Sequence, residues 1–557
     1  MYFIIQLKGY TFLQDKESKH KRIRKHMGTY LNPGNDGFAR IRKSDYVDKS
    51  GLINLLNRKI DTTDNLVCIS RPRRFGKSFA AQMLCAYFDR TCDSHTVFSG
   101  LQITSSPDYE KYLNQYNVIY LDMTGIKPYT NNYENLVSFV TEKITKEIRN
   151  TYPDVISFES FPETLVETVQ HTDIKFVMII DEWDAPIREN PELQREYLEF
   201  LRSLFKNSAT TAKVFAAVYM TGILPIKKDG SQSAISDFEE YTMIKPRQFG
   251  PYVGFTEEEV KNLCEERGVD FDTMKQWYDG YSFKAVGSVY NPNSVMKAIQ
   301  YDDFDSYWTQ TSAAESLMKY ISQDYNGLTK TIAELIGGVD VKVDTLGFAN
   351  DLTTFRGRDD VLTLLIHLGY LAYNSETKTV RIPNEEIRIE FQRSIKEVKH
   401  HETLERLQAS EQLFLDTIHM NEEAVGEQIE KIHAEETAPL HYNKEDSLRS
   451  VIKLAYYTYR DHYLMFEELP CGEGYADIVY LPKYDSDWPA LVIELKWNQS
   501  ADGAISQILN RKYPEFLKDY DREILLVGIS YQKDAVPGQR KHTCKIIRCI
   551  KTNQLKP

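Results

Sequence analysis

The 557-residue chain has no apolar run close to the roughly 20 residues that a bilayer-spanning helix needs. No membrane partner is expected. The opening MYFIIQLKGYTFL is apolar but short and broken by Lys8. Its basic cluster KESKHKRIRKH follows the apolar part instead of preceding it, which makes a poor signal peptide. Residues 1–27 read as a flexible basic arm or an over-long start, with a phosphate-touching arm as the alternative. Cysteine is scarce: seven residues, at 68, 85, 92, 264, 471, 544 and 549, are too scattered for a disulfide framework. The pair Cys544 and Cys549 lacks two further ligands at zinc spacing. Free buried thiols in a reducing, cytoplasmic compartment are expected. An excess of positive charge is also missing. With 68 Lys+Arg against 81 Asp+Glu, the net charge is -13, which excludes a wholly basic nucleic-acid coat and leaves a local basic groove open. Repeats and long low-complexity linkers are absent.

What is present excludes disorder. Hydrophobic residues make up 42% and aromatics 12%, enough apolar surface to offset chain entropy. At roughly 100–200 residues per domain, the length predicts three or four domains. Short apolar strands are expected at 65–70, 117–122, 174–180 and 213–222, with helices after 78 and over 133–150 and 191–206. Strands alternating with helices predict an α/β fold with an open parallel sheet. After about residue 255 short helices dominate, starting with a capping box at Thr256 and Glu259. Residues 358–391 read as helix, polar hairpin, helix, as in a winged-helix-like module. From 443 the order is helix, strand, strand, helix, strand. The expected division is 28–254 for a first α/β domain, 255–335 for a helical lid region, 336–392 for the winged module, 393–440 for a helical connector and 441–557 for a last α/β domain.

Two constellations carry chemistry. In the first, RPRRFGKS follows an apolar strand and opens a helix. Backbone N–H groups and a helix N-terminus there can cradle phosphates. Arg73, Arg74, Phe75, Gly76, Lys77, Ser78 and Phe79 form the candidate binding set, with Lys77 on the β- and γ-phosphates and Ser78 on Mg²⁺. Arg71 stands where the usual GxxxxGK(S/T) pattern begins with Gly, so this loop alone also fits a chance surface turn. The apolar run Phe176–Ile180 ends at Asp181 and Glu182. Asp181 can hold Mg²⁺ through water, and Glu182 can orient an attacking water. Strand, loop, helix and strand-Asp-Glu in that order point to nucleotide binding. Thr221, at a later strand end, either senses the γ-phosphate or caps a turn. Arg73 and Arg74 either contact phosphate or pair with acids.

The second constellation lies near the C-terminus. GYADIVYLP carries Asp477, and LVIELKW carries Glu494 and Lys496. Residues i and i+2 of a strand share a face, so Glu494 and Lys496 project together while Ile493 and Leu495 point the other way. Antiparallel pairing would bring Asp477 to Glu494. Two carboxylates suit Mg²⁺, and Lys496 would position a nucleophile or stabilise a phosphorane. Glu445 and Gln507 either complete the metal or water shell or belong to solvated faces.

These residues resemble known families. YVDKSGLI (46–53), SRPRRFGKS (70–78), YLD (120–122), IIDEWDAP (179–186), TGI (221–223), GFTEEEV (254–260), WYDGYSF (277–283), YNPNSV (290–295) and IPNEEIR (382–388) are similar to the AAA-ATPase-like family of prokaryotic P-loop proteins. That family also has Arg in place of the first Gly. GYADIVY (474–480), IELKW (493–497) and AISQILNRKY (504–513) resemble the PD-(D/E)XK nuclease superfamily domain often fused to such ATPases. Two departures stand out. The run LPIKKDGSQS replaces a basic SRFSK-like segment after TGI, so a trans-acting or sensor arginine is in doubt, with Lys227 or Lys228 as candidate substitutes. Ala476 replaces the signature Pro, at a position that binds no metal. The resemblance implies ATP and Mg²⁺ as cofactors and a metal set of Ser78, Asp181, Glu445, Asp477 and Glu494. Glu182, Asp477, Glu494 and Lys496 would be catalytic. It implies a cytoplasmic ATPase with a nuclease acting on nucleic acid, DNA rather than RNA, and leaves a homo-oligomer open. The alternative is a nucleotide-switched sensor or scaffold with a non-cutting nuclease fold. A small-molecule kinase would leave the second acidic cluster unexplained.

Overall fold

The computed structural model describes residues 28–308, 328–348, 355–397, 401–436 and 463–549, short internal stretches apart, and residues 448, 449, 452, 455 and 456. The chain divides into two compact units, one of residues up to 311 with 342–388, the other of 312–341 with 389–557.

The first unit is built on five parallel strands: β1 (Leu66–Ser70), β2 (Asn117–Asp122), β3 (Phe176–Asp181), β4 (Phe215–Gly222) and β5 (Glu239–Tyr241). Their order is β2-β3-β4-β1-β5. Strands β1, β3 and β4 are buried along their whole length, as a parallel sheet covered on both faces requires. Helix Leu136–Thr151 covers part of one face with Leu136, Val140, Ile144 and Ile148, a stripe at helical spacing. The register pairs Asp122 with Asp181 and Ile69 with Thr221, so the carboxyl ends of four strands form one rim. Ligands of open α/β sheets bind at that rim.

Residues 255–290, where short helices were expected to dominate, carry strands as well. Helix Glu257–Arg267 has its Thr256–Glu259 capping box. Beside it lies an antiparallel sheet of β6 (Phe255–Thr256), β7 (Tyr281–Phe283) and β8 (Gly287–Tyr290), in the order β6-β8-β7. Strands of two to four residues are too short for alternation to show in sequence. Helix Arg358–Leu368, the hairpin of β9 (Ala372–Asn374) and β10 (Thr379–Arg381), and helix Glu385–Glu397 follow the predicted order. Buried Glu386 accepts from Ser294 Oγ at 2.9 Å and from the Tyr307 N–H at 2.8 Å, which ties IPNEEIR to YNPNSV.

The second unit carries a mixed sheet of β11 (Tyr463–Cys471), β12 (Gly474–Pro482), β13 (Ala490–Trp497), β14 (Ile524–Tyr531) and β15 (His542–Cys549), in sequence order. Only β13 and β14 pair in parallel, joined by a crossover that includes helix Ala501–Asn510. The sheet has two more strands than expected. Ile493 and Leu495 enter a core on one face; Val479, Val492, Ile505 and Ile508 form a second core on the other. Helices His401–Ile418 and Glu422–Glu436 supply Leu413, Phe414, Val425 and Ile429 to the first of these cores. Glu422 accepts the Ile546 N–H at 2.9 Å. Residues 401–436, within the expected connector, thus pack into the core of the second unit. No helix among the described residues is long and apolar enough to cross a membrane. Cysteines 68, 85, 264 and 544 are buried and free.

Candidate functional site

Strand β1 ends at Ser70, the chain turns, and a helix starts at Lys77. The turn needs left-handed backbone at Arg74 (φ 69°) and Gly76 (φ 87°). A Cβ at Gly76 would meet nothing within 4 Å, so glycine serves its conformation and not its space. Arg71 is fully buried, donating from Nη1 to the carbonyls of Ser70 (2.9 Å) and Tyr241 (3.1 Å), with its guanidinium 5.2 Å from the Phe283 ring centre. Where the usual pattern has glycine, this chain has a strut from the loop to the neighbouring strands. Phe75 is also buried, edge-on to Tyr281 at 5.5 Å. Its ring is taken up by the core, which leaves its backbone to the loop. Phe79 and Ser78 are exposed. Arg74 Nη1 donates to the Tyr307 carbonyl.

Lys77 Nζ reaches the Pro72 carbonyl at 2.9 Å and Glu182 Oε1 at 3.1 Å. Asp181 accepts from Thr221 Oγ1 at 2.9 Å and from the Ser78 hydroxyl. Burial pushes Asp181 up to about 6. Glu182 sits at φ 52°, and its Oε2 pairs with Arg188 Nη2 at 3.0 Å. Burial works against its charge, but Lys77, Arg188 and Arg73 outweigh it and hold the carboxyl below its usual range. Arg188 Nε also pairs with Asp184 at 2.8 Å, and Asp184 accepts the N–H groups of Ile223 (3.1 Å) and Leu224 (3.0 Å) after β4. The sequence reading missed Arg188 and Asp184, although their i,i+4 spacing was a signal. The Thr221 hydroxyl is buried on Asp181, so any sensing by it runs through that carboxylate. Lys227 and the Lys228 side chain lie outside the described residues. The rim thus offers a lysine, an exposed hydroxyl, two acids and open loop backbone, a donor set that fits a nucleotide phosphate chain with Mg²⁺.

In the second unit β12 and β13 pair antiparallel, Ile478 opposite Ile493. Continuing that register places Asp477 beside Glu494. Asp477 Oδ2 accepts the Leu495 N–H at 2.8 Å, and Oδ1 pairs with Arg449 Nη2 at 3.0 Å. Arg449 Nη1 pairs with Glu468 at 2.7 Å, and Glu468 has a left-handed φ of 47°. Lys496 Nζ lies 3.1 Å from Glu494 Oε1, which also accepts from Gln507 Nε2. Glu494 Oε2 is buried with no hydrogen-bond partner among the described residues. Burial, then the Asp477 charge, pushes Glu494 up to about 7. A buried carboxylate with one unsatisfied oxygen fits a divalent cation. Glu445 lies outside the described residues. Among those described, no group of three or more His, Cys, Asp or Glu gathers to hold a metal. Arg449 and Glu468 escaped the sequence reading because a lone arginine on a helix carries no motif.

Residues 33–231 match the family model of the predicted AAA-ATPases, and residues 443–539 match that of the PD-(D/E)XK nuclease superfamily. A protein of Azotobacter chroococcum mcd 1, described as "Uncharacterized protein in vnfD 5'region", is 25% identical over 298 residues, 51% of this chain. The chain spans 55% of that relative's length. Among solved structures, the Aeropyrum pernix ORC2 protein aligns at TM-score 0.25 and 11% identity, over 64% of this chain and 98% of its own. The Aeropyrum pernix ORC1 protein in complex with DNA aligns at TM-score 0.24 and 11% identity, over 65% and 95%. Along the chain, then, a match to the predicted AAA-ATPase model is followed by a match to the PD-(D/E)XK nuclease superfamily model.

Proposed function

We propose that this protein binds and hydrolyses ATP in its first unit and cleaves DNA phosphodiesters with a Mg²⁺-dependent site in its second, under nucleotide control in the cytoplasm. The observation that carries the reading is the convergence of Lys77, Ser78, Asp181, Glu182 and Thr221 at one rim of the parallel sheet. Ser78 and Asp181 would hold the ion that accompanies ATP, Lys77 would hold its phosphates, and Glu182 would orient water. The unsatisfied Glu494 oxygen beside Asp477 and Lys496 supports the nuclease half. There Asp477 and Glu494, with Glu445 as a further candidate, would hold the ion that supplies an activated water and neutralises phosphodiester charge. Lys496 and Gln507 fix the Glu494 carboxylate. Anti-phage defence or mobile-element maintenance suits such a pairing of activities.

The test is a matrix of DNA and RNA substrates, divalent metals and nucleotides, run on wild type, Lys77→Ala, Glu494→Ala and Lys496→Ala. Metal-dependent DNA cleavage, abolished by Lys496→Ala and changed by Lys77→Ala, is the expected result. Cleavage that survives Lys496→Ala rules the nuclease assignment out. One observation favours a second reading: Arg449 holds Asp477 and puts a cation where a metal would bind. A nucleotide-switched sensor whose nuclease fold binds nucleic acid without cutting would bind ATP yet cut nothing with any metal.

A further inference from the structure

Two adjacent arginines stand in RPRRFGKS, and the fold uses them differently. Arg74 is committed, its guanidinium donating to the Tyr307 carbonyl. Arg73 is half-buried and makes no hydrogen bond or ion pair to any described residue, although its charge acts on Glu182. The cations around it are occupied: Lys77 on Pro72 and Glu182, Arg188 on Glu182 and Asp184. A half-buried guanidinium with five donors and no acceptor is poised for an anion that arrives from outside. Its place in the chain says which anion. Arg73 lies four residues before Lys77, on the same turn that would carry Lys77 to the β- and γ-phosphates. Its charge also helps to hold Glu182, the acid proposed to orient water, in the ionised form. The run from Leu224 to Ser233 contains no arginine.

We propose that Arg73 is the catalytic arginine of ATP hydrolysis, supplied in cis by the phosphate loop itself and directed at the γ-phosphate. This rests on reading residues 71–78 as a phosphate loop. In the step it serves, the oxygen of water bonds to the γ-phosphorus, and the bond from that phosphorus to the β–γ bridging oxygen breaks. The electron pair stays on the β-phosphate of ADP, and the proton of water leaves with the released phosphate or to solvent. Arg73 neutralises charge that grows on the bridging and γ-oxygens during this exchange. Arg74 instead anchors the loop to the middle of the unit.

The experiment measures ATP turnover and binding of a fluorescent ATP analogue for wild type, Arg73→Ala, Arg73→Lys and Lys77→Ala. It includes an equimolar mixture of the Arg73→Ala and Lys77→Ala proteins. Arg73→Ala should bind the analogue within about threefold of wild type yet turn over at least about 100-fold more slowly. Arg73→Lys should recover part of that loss. Wild type should trap ADP with aluminium fluoride and Arg73→Ala should not. The mixture should stay as slow as its components, since a cis residue cannot be lent to a neighbour. Restored turnover in the mixture, or wild-type turnover by Arg73→Ala, overturns the inference. If wild type hydrolyses ATP and Lys77→Ala does not, such a result condemns this inference alone. If wild type binds no nucleotide, the phosphate-loop reading falls first and takes this one with it.

Discussion

Lys77 Nζ stands 3.1 Å from Glu182 Oε1, with its side chain only 3% exposed. The lysine proposed for phosphate rests on the acid proposed for water, so on that reading an incoming phosphate competes with a carboxylate for the same ammonium. Lys77→Ala and Glu182→Gln should therefore separate. The first should weaken ATP binding about 100-fold; the second should keep or tighten binding and slow turnover about 100-fold or more. Equilibrium binding alongside steady-state turnover checks both. Weaker binding in Glu182→Gln would contradict the competition.

Two acids at the sites cost stability at neutral pH. Asp181 and Glu494 have folded-state values raised by burial to about 6 and about 7. Between the ordinary carboxyl range near 4 and those values, the folded chain binds more protons than the unfolded one. Stability contributed by these groups is thus full at low pH and lost as pH rises through the folded values. Asp181→Asn and Glu494→Gln should each be more stable than wild type at pH 8, by about 1–3 kcal/mol, and not at pH 4. Thermal unfolding at the two pH values reads this. A destabilised variant at pH 8 would sink it.

His367 shows the opposite sign. Burial, then the Arg71 charge, lowers it to about 3. Between that value and the ordinary 6.5 or so, the unfolded chain takes up the proton and the folded chain does not. Stability should fall as pH drops below about 6.5, by a few kcal/mol at most, and His367→Gln should flatten this slope. Acid titrations followed by circular dichroism would reveal an unchanged slope if the prediction is wrong.

Gly369 has φ 86°, and a Cβ there would lie 2.7 Å from Pro72 Cγ and 2.8 Å from the Trp308 ring. Gly369→Ala should cost about 1–3 kcal/mol from left-handed backbone and overpacking. Because Pro72 belongs to the phosphate loop, nucleotide affinity should fall with it. Unchanged affinity in a destabilised variant would separate the two.

Arg449 pairs with Asp477 Oδ1 at 3.0 Å and competes with any divalent ion for that oxygen. Arg449→Ala should tighten Mn²⁺ binding by about threefold to tenfold, since an opposing charge is gone. Calorimetric titration in the absence of DNA tests it. Weaker binding would mean that Arg449 supports the acid instead of screening it.

Long apolar runs made the parallel sheet legible: NVIYLD and FVMIID need only length and burial to be recognised. Asp181 and Glu182 were readable because charge ends such a run. The C-terminal pair was readable because Glu494 and Lys496 interrupt one. Other features depended on partners far along the chain. YLMFEELPC hides a strand, since Glu467, Glu468 and Pro470 break its alternation. Residues 401–436 look like an acidic linker until Leu413 and Ile429 are seen in the core of the second unit. Phe75 reads as a loop residue, yet its ring packs on Tyr281, 206 positions later. Arg188, Arg449 and Glu468 acquire meaning only from the side chains beside them.

That the 401–436 helices roof one face of the mixed sheet changes where the chain tolerates cutting. A recombinant fragment begun at residue 441 would leave Tyr456, Tyr480, Leu491 and Ile493 without part of their cover and invite clumping. The last unit also draws on residues 312–341, so it is threaded through its neighbour in sequence and resists excision by any single break. Duplication or exchange of this unit between chains would have to carry both stretches, which ties its inheritance to the unit it interrupts.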